Sequence, residues 1–198
     1  MSELKLVLSK KFDAEAIRAQ LSEYLKVSEP RLILFKAVDP PAILKLLGDA
    51  EAWLPLSAPA TVYLSVLAKR AADATWNRLA SLFNSNEVKP LADVAKTLAT
   101  AANSVDGEAT IVVGLNIPDD HFGTAISIKP GDPEEVARVL ASFIVHAEQI
   151  SKAMRAEVEA SRTPLGPAII KLQDNDSLLV SWVGQADKRC HELRIPSA

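Results

Sequence analysis

The sequence predicts an α+β fold, and three observations carry that expectation. Leu4, Leu6 and Leu8 recur at every second position, the period of a strand. Residues 60–83 and 134–162 hold neither Gly nor Pro and repeat apolar side chains at intervals of three and four, the period of a helix. Thr110 to Ile117 is rich in β-branched residues, and turn formers divide three strand segments after residue 167. The architecture that follows is an N-terminal βαβ unit, a central antiparallel helical hairpin and a C-terminal ββαβββ unit, with one long helix on a mainly antiparallel sheet. A single compact domain over 1–198 is the primary expectation. A division into 1–106 and 107–198 is the alternative.

The first strand covers Leu4 to Leu8, and Asp13 then stands where its carboxylate can accept free amides of a first helical turn. The helix runs to about Leu25, with Ile17, Leu21, Tyr24 and Leu25 as its buried stripe. Leu32 to Phe35 with Val38 reads as a buried strand, parallel to the first. Asp39-Pro40-Pro41 supplies a cap and a first-turn proline for a second helix, expected from Pro41 to Trp53. Leu64, Leu67, Ala68, Ala71, Thr75, Leu79 and Leu82 mark a third helix, and Leu91, Val94, Ala95, Leu98 and Ala102 mark a fourth. A strand over Thr110 to Ile117 and another over Thr124 to Ile128 form a hairpin. Asp132-Pro133-Glu134-Glu135 starts the long helix, because Asp caps, Pro tolerates the first turn and Glu135 can complete a capping box. Strands over 168–173, 178–183 and 189–195 finish the chain.

Composition excludes several function classes. The chain has 198 residues and a formal net charge of −3, with 30 Ala and 25 Leu but only ten aromatic residues, so a stacking platform for bases is not expected. Neither half carries a basic footprint for nucleic acid. The N-terminus lacks the basic start and longer apolar run of a signal peptide, and the single Cys190 cannot form an internal disulfide, so the expected location is the cytoplasm. The seven glycines form neither GxGxxG nor a P-loop, and HExxH and Gly-x-Ser-x-Gly motifs are absent. No cofactor and no metal is expected.

Four places could carry chemistry or contacts. Asp119, Asp120 and His121 stand in a loop that could expose two carboxylates and an imidazole, although Pro-Asp-Asp-x-x-Gly is also favourable turn chemistry. His146 lies at the edge of the long helix's apolar stripe, where an interface or core-edge role outweighs a catalytic one. Cys190, His191 and Glu192 alternate across a strand, which sets the thiol and the imidazole on opposite faces. Residues 52–68 are uncharged, but Pro55 and Pro59 and a length short of about 20 apolar residues argue against a membrane span.

The long helix is the strongest feature. At ~1.5 Å per residue it extends about 45 Å, beyond strands of about 20 to 23 Å. Val136, Leu140, Phe143, Ala147, Ile150 and Met154 form a heptad-like seam, widened by Val139, Ile144 and Val158. Its second half packs either on the third and fourth helices or on another subunit, making Phe143, Ala147, Ile150, Met154 and Val158 a candidate partner interface and a homodimer one outcome. The function expected is therefore non-enzymatic, through protein contacts, as an adaptor or regulatory subunit. An enzyme that assembles its Asp and His residues from distant segments, and a membrane-associating module using residues 52–83, are the alternatives.

Overall fold

The computed structural model describes residues 2–9, 11–33, 41–70, 83, 85–106, 108–117, 123–129, 131–161, 167–184 and 187–196. Eight strands form one mixed sheet, in the order β2-β1-β3-β4-β5-β6-β7-β8. They are β1 (Lys5–Ser9), β2 (Arg31–Ile33), β3 (Ala42–Gly48), β4 (Ala109–Leu115), β5 (Thr124–Ile128), β6 (Ala168–Leu172), β7 (Leu178–Val183) and β8 (Cys190–Ile195). Four helices accompany them: α1 (Ala14–Leu21), α2 (Ser57–Arg70), α3 (Lys89–Asn103) and α4 (Pro133–Ser161), with a 3-10 segment at Ala50–Leu56. The fold class is α+β as expected. The sheet is continuous through the region where a boundary was considered, because β3 pairs in parallel with β4 from Ala42↔Ala109 to Gly48↔Leu115.

Alternation along the strands explains why the sheet has one covered face. Leu6 and Leu8 of β1 stand in register with Leu46 and Leu44 of β3, which in turn face Val113 and Ile111 of β4. Each of these six side chains is fully buried. Ile126 and Ile128, Ile170, and Leu178 and Val180 continue that face across β5, β6 and β7. The helices lie on this side and bury Ile17 and Leu21 of α1, Ala60 and Tyr63 of α2, Leu91 and Leu98 of α3, and Leu140 and Phe143 of α4.

Local chemistry fixes the helix ends. The Asp13 carboxylate accepts the Ala16 N–H at 3.1 Å, and α1 stops at Leu21 with Ser22 as its C-cap, four residues short of the expected end. Asp132 accepts the Glu134 N–H at 2.9 Å and starts α4 where the sequence places it. Tyr63 of α2 donates to the Glu134 carbonyl at 3.1 Å, and Arg138 of α4 holds Asp176, in the β6–β7 turn, at 2.6 Å. These bonds tie α4 to one helix beside it and one hairpin beneath it.

Two expected elements differ. Residues 41–53 are not a helix: Ala42 to Gly48 form β3, and the 3-10 segment follows. Ala, Ile, Leu and Lys tolerate a helix, but Ala42, Leu44 and Leu46 also fit a period of two. Partner strands on both sides satisfy the backbone, so pairing outweighs propensity. The capping residues Asp39 and Pro40 lie outside the described residues. The second difference is β2, expected to be buried. It is the edge strand of the sheet, and Leu32 is 53% exposed.

Candidate functional site

The sequence candidates do not converge. Asp119, Asp120 and His121 lie outside the described residues. His146 is half-buried on α4, and partial burial pushes its imidazole below the ordinary value, an effect that a hydrogen bond donated to Gln149 partly offsets. Glu148 cannot serve it, since that carboxylate holds Lys152 at 2.7 Å. Cys190 is exposed, whereas His191 faces the other side of the sheet, stacked on Trp182 at 5.6 Å and bonded to Asp187 at 3.0 Å. The Asp187 carboxylate is held low first by the Arg189 backbone N–H and then by His191. This histidine–carboxylate pair was not legible in the sequence, because a four-residue separation within a hairpin resembles turn composition. Among the described residues no nucleophile pairs with it. Among the described residues no cluster of three His, Cys, Asp or Glu side chains could hold a metal ion.

The seam of α4 is used inside the chain. Phe143, Ala147, Ile150 and Met154 are 0%, 2%, 0% and 0% exposed, and Phe143 meets the Trp53 ring edge-on at 5.4 Å. Placing them at a partner interface is therefore corrected: the chain's own 3-10 segment, α2 and α3 pack against α4 and bury them. Val158 is only half-buried. One side of the uncharged 52–68 stretch is likewise internal, with Trp53, Leu56, Ala60 and Tyr63 at or below 1% exposure, while Leu54 is exposed. Among the described residues no helix is long and apolar enough to cross a membrane.

What remains open is the second face of the sheet. Strand register places Arg31, Val7, Lys45 and Val112 in one row across β2, β1, β3 and β4, with Ser127 of β5 next. One step beyond the Ile126↔Ile170 pair stands Lys171, followed by Leu179 and Arg194 on β7 and β8. A row of four cations thus crosses all eight strands, with Val7, Val112, Ser127 and Leu179 between them. At ~4.8 Å per strand, Arg31 to Lys45 and Lys171 to Arg194 are each about 10 Å apart, and Lys45 to Lys171 about 14 Å. Ile43, Leu47, Ala125, Ile169 and Val183 add apolar surface around the row, Lys5 adds a fifth cation, and Glu192 adds a carboxylate. Ile169 and Val183 are 51% and 47% exposed.

A second concavity lies on the helical side, between the 3-10 segment and α4. It measures about 570 Å³ and is walled by Trp53 and Leu54 on one side and by Ile144, Ser151 and Arg155 on the other. Its α4 wall is a single stripe, because residues three and four apart share a helix face. No family model, no curated protein and no solved structure matches this chain.

Proposed function

We propose that this protein acts through protein contacts, as an adaptor or regulatory subunit in a reducing compartment, with its open sheet face receiving an acidic, amphipathic segment of a partner. The observation that supports the reading is the row of Arg31, Lys45, Lys171 and Arg194 separated by Val7, Val112 and Leu179 on a face left uncovered by the described helices. Apolar strips of this kind mark interaction surfaces. The cations specify the sign of the partner, since opposed potentials attract and like charges across an interface cost several kcal/mol.

The same charges argue against alternatives. A second copy stacked face to face by a two-fold axis would set a basic row on a basic row. The whole chain is net −3, so the basic face is a local asymmetry and not a consequence of composition. Among the described residues no aromatic side chain stands on this face to anchor it at a lipid interface or to stack a base.

The test uses a synthetic helical peptide with a leucine face bordered by glutamates, and its lysine-bordered counterpart, followed by fluorescence anisotropy. The acidic peptide should bind, and the basic one should not. Lys45→Glu with Lys171→Glu should weaken the acidic peptide at least tenfold, and added salt should weaken it in the parent protein. Equal binding of both peptides, or flotation of the protein with vesicles containing anionic lipid, would overturn the proposal.

A further inference from the structure

The groove on the helical side has a chemistry distinct from the open sheet face. Its walls are apolar through Trp53, Leu54, Ile144 and Val145, and Leu54 is 59% exposed beside the buried Trp53. Two polar groups at one end lack partners. Ser151 is 6% exposed and lines the groove, yet its hydroxyl makes no hydrogen bond among the described residues. The Ser151 Oγ is not sealed from solvent and opens on the groove, whereas Ser142 gives its hydroxyl to the Arg138 carbonyl one turn back at 2.9 Å. Arg155 stands one turn beyond Ser151 on the same face and has no ion-pair partner among the described residues, while neighbouring Lys152 is already held by Glu148 at 2.7 Å. The other carboxylate at the rim, Glu51, accepts a hydrogen bond from the Ser2 hydroxyl at 2.9 Å.

From this pairing of an apolar trough with an unmatched hydroxyl and guanidinium, we propose that the groove binds a small monocarboxylate with an aliphatic body. The carboxylate accepts from the Ser151 Oγ and the Arg155 guanidinium, and the tail lies along Ile144, Val145 and Leu54. From Ile144 to Arg155 the α4 wall runs about 16 Å at ~1.5 Å per residue, long enough for a medium-length chain. The cavity volume falls within the ordinary size of small-ligand sites, which combine apolar walls with a few placed polar groups. A carboxylate is favoured over a neutral head because it can use the fork of a guanidinium and accept the hydroxyl proton together.

The test is isothermal titration of the whole chain with decanoate below its micelle concentration, beside 1-decanol as the neutral analogue. Decanoate should bind at least tenfold more tightly than 1-decanol. Arg155→Met keeps the stem and removes the charge at an exposed position, so the fold survives, and decanoate should bind about tenfold more weakly. Ser151→Ala should weaken it several-fold. Lys45→Glu with Lys171→Glu, on the opposite side of the molecule, should leave it unchanged, which separates this site from the contact face. Absence of decanoate binding, or binding undiminished in both Arg155→Met and Ser151→Ala, would overturn the proposal. Loss of binding on the open-face substitutions alone would do so too.

Discussion

The two faces of one sheet are built from the same strands and meet opposite surroundings. On the helical side Leu6, Leu44, Leu46, Ile111 and Val113 are fully buried, whereas Ile169 and Val183 on the other side are about half exposed. The residues themselves do not predict the difference, since Leu47, Val112 and Leu179 are as apolar as their covered neighbours. The open face therefore carries apolar side chains that the described helices do not cover. Matched truncations give the largest separation between the faces. Phe143→Ala removes a fully buried ring and its edge contact with Trp53, and should cost about 3–5 kcal/mol in urea unfolding. Ile169→Ala should stay within about 0.5 kcal/mol, as surface substitutions do. A large loss at Ile169 would break the contrast, because it would mean that the open face is covered by the chain itself.

One position on the open face should behave as though it were covered. A Cβ added to Gly114 would meet the Thr124 carbonyl oxygen at 2.7 Å, the Ala125 Cβ at 2.8 Å and the Leu47 Cδ2 at 3.0 Å. Two of those neighbours are backbone or rigid, so the hairpin of β4 and β5 must shift. The Gly114 carbonyl also accepts the Trp53 indole N–H at 3.4 Å, which carries the displacement to the helical side. Gly114→Ala should therefore cost about 1–3 kcal/mol and alter tryptophan fluorescence. An unchanged unfolding midpoint would show that β4 and β5 can separate freely here.

The contrast also explains what was legible in the sequence. Alternation and turn residues located β1, β4, β5, β6, β7 and β8, and Asp13 and Asp132 located two helix starts, because these signals are local. Residues 41–53 were misread because Leu44, Leu46 and Leu47 satisfy helical and strand spacing alike, and only the flanking β1 and β4 decide between them. Register is not local either, so the alignment of Arg31, Lys45, Lys171 and Arg194 from four distant segments had no trace in any window of sequence. The α4 seam is legible in the sequence, but its length beyond one strand leaves its cover open between helices of the same chain and another subunit. The 3-10 segment, α2 and α3 supply the missing cover. Ser151 looked like an ordinary polar residue, and its significance rests on a hydroxyl left unmatched once Trp53 and Leu54 wall the groove.

The smallest expected effect distinguishes the faces by pH. His146 sits on the helical side, and partial burial lowers its imidazole from the usual 6.5. The unfolded chain then binds more protons than the folded one below pH 6.5, so stability rises with pH through the window beneath that value and is complete above it. Glu148 and Asp187, whose carboxylates are also held low, lose their contributions only near or below their usual 4.5 and 3.8, which leaves the upper part of the window to His146. Urea midpoints measured between pH 7 and 5 should decline on acidification. His146→Gln should flatten that decline because it removes the titrating group while keeping a polar side chain at the half-buried site. Ile169→Ala should retain the parent slope, since the open face among the described residues contains no histidine. A slope that His146→Gln leaves intact would place the responsible proton elsewhere and remove this distinction between the two faces.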